Sequence, residues 1–142
     1  MSGTGSGESP VRAMFDADVG SRALGIELLS AEAGKATARL RITDTMVNGH
    51  GIAHGGFLFS LADTAFAFAC NSRGVATVAA SATITFVAPA RNGDELVAEA
   101  TERTLFGRNG VYDVTVYRDD GERTVVAEFR GHSRAMSGRQ PT

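Results

Sequence analysis

The sequence predicts an α+β domain in which a curved antiparallel sheet of five to six strands wraps one long central helix. Three observations carry that prediction. The stretch from Gly55 to Asn71 is apolar for about 17 residues and carries one charged side chain, Asp63, which is the length and composition of a single buried helix. After it come four runs rich in Val, Ile, Thr and Ala with period-two alternation, and before it lies one hairpin. A helix apolar nearly all round needs cover on most sides, and a curved sheet supplies it.

Val11 to Asp18 reads as a short helix, with Val11, Met14 and Phe15 recurring at three and four residues and Gly20 close behind. Leu24 to Thr43 alternates on both sides of Ala33-Gly34 and reads as a hairpin. Asp44 to Gly51 is a loop holding Asn48, Gly49 and His50, and the central helix then runs until Arg73-Gly74 stops it. Strands are expected over Val75–Val87, Leu96–Leu105, Val111–Tyr117 and Thr124–Phe129. Their turns fall at Arg91-Asn92-Gly93-Asp94, Gly107-Arg108-Asn109-Gly110 and Asp119-Asp120-Gly121-Glu122. Residues 1–10 read as a loose tail without the basic start and apolar run of a signal peptide, residues 11–135 as one domain, and residues 136–142 as a flexible end.

Composition narrows the function classes. The 142 residues suit one domain whose surface a partner subunit can complete. Fourteen Lys and Arg against sixteen Asp and Glu, with no basic run, give a net charge of −2 and argue against nucleic acid. No apolar stretch reaches the length of a membrane span. A single cysteine, Cys70, excludes an intramolecular disulfide and suits a reducing compartment, with the cytoplasm the expected location. A lone sheet leaves one helix end and an edge exposed, so pairing with a second copy is expected.

The chemistry concentrates between Asn48 and Ser72. With Leu61, Ala62, Ala65 and Phe66 around it, the Asp63 carboxylate would be costly to bury without a partner or a shifted pKa; a carboxylate facing solvent, or a structural hydrogen bond at a helix–helix contact, is the plainer reading. His54-Gly55-Gly56 opens the helix, where free N–H groups and the positive end of the helix dipole suit a developing oxyanion; a tight turn that merely needs small residues is the plainer reading. Eight residues separate Gly55 from Asp63, roughly 12 Å along a helix axis, too far for both to reach one carbonyl carbon. Two such helices packed antiparallel about a two-fold axis would bring Asp63 of one subunit to Gly55 of the other.

Asn48 both donates and accepts, so it could hold a water or orient the carboxylate, although Asn48-Gly49 is also a common turn. His54 could position the loop or bond a substrate carbonyl, or simply cap the helix. His50 and His54 have a zinc-like spacing, but the surrounding glycines mark loop and no third ligand is nearby, so no metal is expected. Ser60 and Thr64 could bond Asp63 or pack. Ser81 and Thr83 alternate on the next strand, where they could line a channel or satisfy sheet neighbours. Cys70 reads as core. There is no Gly-x-Ser-x-Gly elbow, phosphate-binding glycine loop or dinucleotide fingerprint.

The residues Asn48-Gly49-His50, His54-Gly55-Gly56 and Leu58 to Ala67 resemble the PaaI-type thioesterases of phenylacetate catabolism, in the hotdog-fold superfamily. The likeness continues through Ala69-Cys70-Asn71-Ser72, Gly110-Val111-Tyr112-Asp113 and Phe129-Arg130-Gly131. The resemblance implies hydrolysis of acyl-CoA thioesters, favouring phenylacetyl-CoA and its ring-hydroxylated forms, by dimers paired into tetramers, with no cofactor beyond the coenzyme A of the substrate. It implies Asp63 as general base or nucleophile, Gly55 as backbone donor to the thioester oxygen, and Asn48 and His54 as polar partners from the opposite subunit. Gly56, Ser81 and Thr83 fall to substrate contact, and Arg91 and Arg108 to the CoA phosphates. The loop differs from that pattern at Gly51, Ile52 and Ala53, positions that bear on the acyl group. Two other classes fit an acyl-CoA site: a hotdog hydratase or dehydratase, for which an acid–base Asp/His pair within one loop would be expected, and a non-catalytic acyl-CoA-binding dimer.

Overall fold

The computed structural model describes residues 10–136; of the expected tails at 1–10 and 136–142, all but Pro10, which begins the first helix, and Met136 lie outside the described residues. Its elements run α1 (Pro10–Ala17), α2 (Val19–Ala23), β1 (Glu27–Glu32), β2 (Lys35–Arg41), a 3-10 turn (Asp44–Met46), α3 (Gly55–Cys70), β3 (Thr77–Phe86), β4 (Glu95–Phe106), β5 (Asn109–Arg118) and β6 (Thr124–Ala135). The six strands form one sheet in the order β1-β2-β4-β5-β6-β3, every neighbouring pair antiparallel. After α3 the chain therefore crosses to the far side of the sheet, and β3 becomes an edge strand beside β6.

The helix lies on the face where Ala36, Ala38, Leu40, Leu96, Ala98, Ala100, Val114, Val116 and Phe129 are buried. Ala36 stands opposite Ala100 and Ala38 opposite Ala98, a floor of small side chains over which α3 packs most closely. Leu58, Leu61, Ala62, Ala65, Phe66 and Ala69 are buried on the helix there. Each large side chain sealed there contributes about 1.5–3 kcal/mol relative to an exposed one. Phe66 comes so close to β6 that a Cβ on Gly131 would stand 2.7 Å from its ring. Tyr112 and Phe129 flank the same ring with centroids at 5.6 and 5.7 Å.

On its other flank α3 is covered by α1 and α2. Phe15 meets Phe68 edge-on at 5.8 Å, Val11 is fully buried, and Ser21 Oγ lies 3.1 Å from Thr64 Oγ1. The five-residue helix α2 was not anticipated; Asp18, whose side chain accepts from Ser21 N at 2.9 Å, is its N-cap.

Strand β6 outruns its expected end at Phe129 by six residues. Its inward positions there are Gly131, Ser133 and Ala135, all buried, so the alternation continues in small residues rather than hydrophobic ones. The smallness of Gly131 follows from the packing, because Phe66 fills the space at its Cβ position; on β5, opposite Ser133, the Ser133 hydroxyl likewise fills the space at Gly110. Beyond the strand, Met136 N still donates to Ala76 O at 2.9 Å.

Candidate active site

The approach to α3 is a closed loop. Asn48 N donates to Ile52 O and Gly51 N to Asn48 O, with Gly51 at φ +76°, while Asn48 Oδ1 accepts from His50 N at 2.8 Å and Ile52 N at 3.1 Å. The side-chain oxygen of Asn48 is thus used within the loop, and its amide N–H groups make no hydrogen bond among the described residues. Ala53 N donates to Ala90 O, His54 N to Met46 O, and Ile52 bridges Arg91, so the loop is stitched to the segment between β3 and β4. That stitching fixes where the helix begins.

His54 is the N-cap in extended conformation, and its exposed imidazole makes no cap hydrogen bond. Its carbonyl accepts Phe57 N at 3.0 Å. The N–H groups of Gly55 and Gly56 stand at the helix start, where no preceding turn supplies a carbonyl. A Cβ at Gly56 would meet nothing within 4 Å, whereas one at Gly55 would meet the ring of Phe86 at 2.6 Å. An apolar groove of about 350 Å3 opens at this end, lined by Ile52, Ala53, Gly55, Leu58 and Phe86 to Ala90. The groove residues of the 86–90 segment were not singled out from sequence; the signal was the apolar continuation of β3 past its last paired residue into Ala88-Pro89-Ala90.

Asp63 lies two turns further on. It sits on a stripe of α3 that is not fully buried, with Gly56, Ser60 and Ala67. No hydrogen bond or ion pair reaches its carboxylate among the described residues, and burial pushes its pKa above the ordinary carboxylate value. Ser60 and Thr64 do not bond it: their hydroxyls donate to Gly56 O at 2.9 Å and Ser60 O at 2.7 Å, back along the helix. Cys70 is core, as expected, with its thiol pushed up to about 12 by burial.

The chain belongs to the thioesterase superfamily, whose family model matches residues 50–125, more than half of its length. It stands among the PaaI-type acyl-CoA thioesterases. It is 45% identical over 126 residues to the acyl-coenzyme A thioesterase PaaI of Escherichia coli K12, covering 89% of each chain. The solved structure of E. coli PaaI, from the phenylacetic acid degradation operon, matches with a TM-score of 0.85 over 89% of this chain and 90% of that one, at 45% identity. The TT0310 protein of Thermus thermophilus matches with a TM-score of 0.76 at 36% identity, over 82% of this chain and 96% of that one. The fold is accordingly the hotdog fold, and the enzyme is a thioester hydrolase.

Within one chain of this thioesterase the expected site residues fall into separate groups. Asn48, His54, Gly55 and Gly56 gather at the start of α3. Arg91 joins them through the bridge to Ile52; its backbone N–H donates to Asp94, and its exposed guanidinium has no partner among the described residues. Arg108 lies at the opposite end of α3, where its guanidinium donates to Ala135 O and Met136 O at 2.8 to 3.2 Å. Ser81 and Thr83 do share a face of β3, but it is the exposed outer face, since Ala82 and Ile84 between and beyond them pack toward the helix. Thr83 sits there with Arg130 and Asp113, whose 2.7 and 2.8 Å hydrogen bonds hold the Asp113 carboxyl below its ordinary range. Among the described residues no group of three or more His, Cys, Asp or Glu is placed to hold a metal ion, His50 and His54 included, and no helix is long and apolar enough to cross a membrane.

Proposed function

We propose that this thioesterase hydrolyses phenylacetyl-CoA or a ring-hydroxylated phenylacetyl-CoA to the free acid and coenzyme A, in the cytoplasm, as a homodimer whose two active sites are shared between subunits and which pairs into a tetramer. The observation that carries the mechanism is Asp63: a carboxylate without a partner among the described residues, half-buried on the outer stripe of α3. Two helices laid antiparallel along those stripes would cover them and carry each Asp63 toward the partner's Gly55. Edge strand β3, with Val78 exposed and no strand on its outer side among the described residues, offers a further surface for the second copy.

In this arrangement the Gly55 N–H takes up charge on the thioester oxygen, with the α3 dipole behind it. Asp63 then either takes a proton from water, whose oxygen attacks the carbonyl carbon, or attacks that carbon itself to give an anhydride that water opens. Both routes expel the CoA thiolate, which leaves as thiol, and both consume one water. The Asn48 amide donors and His54 contact the water or the carboxylate, Gly56 leaves room for the thioester, and Arg91 lies toward the phosphates. Arg108 can serve that purpose only from a different subunit, and only by leaving the two carbonyls it now holds. Ser81 and Thr83 reach a substrate only across an interface. The substrate assignment is supported by the E. coli relative, which is tied to phenylacetic acid degradation.

The test is thiol release from phenylacetyl-CoA and a panel of other acyl-CoAs by the parent and by Asp63→Asn. The parent is expected to release free CoA thiol and Asp63→Asn to lose about 10^2- to 10^4-fold in kcat. Parental turnover by Asp63→Asn would remove Asp63 from the mechanism. A change in enoyl absorbance without thiol would indicate hydration, and binding without thiol a non-catalytic dimer.

A further inference from the structure

Gly55 has a steric reason to be glycine that its N–H does not explain. Three atoms of the Phe86 ring stand 2.6, 3.0 and 3.2 Å from where a Gly55 Cβ would be, so the ring lies directly against the first residue of α3. Phe86 ends β3, is 53% exposed, and belongs to none of the aromatic pairs that organise the core. A large ring left half in water beside the proposed oxyanion donor, with one face against backbone, has a free face turned to the groove.

The groove also has a direction. At one end Ile52, Ala53 and Ala90 lead to Arg91, the cation without a partner among the described residues; at the other are Gly55, Leu58 and Phe86. A thioester held at the Gly55 N–H with its phosphates toward Arg91 runs its CoA arm along Ala90 to Val87. The acyl group then continues past Gly55 on the side of Phe86. Building on the proposed substrate and orientation, we infer that Phe86 is a specificity-determining residue whose ring forms the wall against which a flat aromatic acyl group stacks. Aromatic pairs in offset or edge geometry gain about 0.5–1.5 kcal/mol beyond area burial, enough to favour an aryl over an alkyl acyl group by up to about tenfold.

Phe86→Leu keeps an apolar side chain and removes the ring face; Phe86→Ala opens the wall. Both changes are at a half-exposed strand end, and thermal unfolding of each variant confirms that the fold is kept. The measurement is kcat/KM for phenylacetyl-CoA, hexanoyl-CoA and decanoyl-CoA with parent and variants. Phe86→Leu is expected to lower the phenylacetyl-to-hexanoyl ratio by about tenfold. Phe86→Ala is expected to lower it as far and to raise the decanoyl-to-hexanoyl ratio. A loss equal across all three acyl groups would place the ring on the CoA arm or the thioester and overturn the inference, as would unchanged ratios. The substrate reading fails separately, on the parent alone, if the parent prefers straight-chain acyl-CoAs to phenylacetyl-CoA.

Discussion

The two ends of α3 handle their polar groups in opposite ways. At the C-terminal end nearly everything is satisfied within the chain. Asn71 donates to Ala67 O and Thr77 O and accepts from Thr77 N, and Ser72 Oγ accepts from Gly34 N. Arg73 makes two hydrogen bonds to Glu102, which also accepts from the buried Tyr112 hydroxyl at 3.2 Å. Burial raises the Tyr112 pKa, so that hydroxyl stays a donor. Arg108 closes over the carbonyls of Ala135 and Met136. At the N-terminal end the Gly55 and Gly56 N–H groups, the His54 imidazole, the Arg91 guanidinium and, two turns in, the Asp63 carboxylate have no hydrogen-bond partner among the described residues. The same helix is anchored at one end and offered at the other. Water can satisfy the exposed groups among these, but a carboxylate half-buried without a partner costs stability, and a binding or catalytic role is the use that offsets that cost.

The sharpest way to break this contrast is a pair of carboxylate replacements. Set against the loss of turnover expected for Asp63→Asn, Glu102→Ala should act on stability instead. It orphans the buried Tyr112 hydroxyl and frees Arg73, at an expected cost of about 1–3 kcal/mol in chemical denaturation. Its turnover at 25 °C should stay within about twofold of the parent. If Glu102→Ala silenced catalysis while leaving stability alone, the division between the two ends would be mistaken.

The pH dependence sharpens the same point. Burial raises the Asp63 pKa above its ordinary 3.8, and either catalytic route needs the ionised form. Turnover should therefore fall as pH drops through the raised value, with an acid limb displaced upward from the usual aspartate range. For stability the sign is opposite. A carboxyl whose folded pKa exceeds its unfolded one favours the folded state below the unfolded value and loses that contribution as pH rises through the folded one. Relative to the parent, Asp63→Asn should thus gain stability as pH rises through that window. An acid limb at 3.8 or below would mean that the carboxylate is better solvated, or better paired, than the structure shows.

The smallest expected effects separate the two arginines. Arg91→Ala should raise KM for an acyl-CoA by about two- to fivefold without changing kcat, a difference that shrinks as salt screens the contact. Arg108→Ala should lower thermal stability by uncapping the end of β6 and leave KM near the parental value. Reversed results would exchange their roles.

Most of the scaffold was legible in the sequence because its signals are local. The apolar run with one charge gave α3, and alternation with Asn-Gly and Asp-Gly turns gave the strands. What escaped was written in small residues or in tertiary packing. The last half of β6 buries Gly131, Ser133 and Ala135, which carry no hydrophobic signal; at Gly131 the Phe66 ring already occupies the space. That Asp63 stands two turns from Gly55 could be read from their spacing, since helix rise is fixed. Arg91 and Arg108 looked alike as loop arginines, and only their partners distinguish them. Phe86 read as one more strand residue until its ring was seen against Gly55, a contact between distant positions in the chain that no local pattern encodes.

The central claim is that each site is assembled from two subunits, and a hybrid dimer tests it most directly. Proline is tolerated at the first position of a helix, where His54 already has the extended backbone a following proline requires. Gly55→Pro therefore removes the proposed oxyanion donor, with the exposed Phe86 ring free to yield. Asp63→Asn and Gly55→Pro subunits, each inactive alone, would be mixed in equal amounts after reversible dissociation and assayed for thiol release. Shared sites give every heterodimer one site with both defects and one intact, so activity should return to about a quarter of the parental value. No recovery, with heterodimers shown to have formed, would place Asp63 and Gly55 of the same chain in one site and contradict the account.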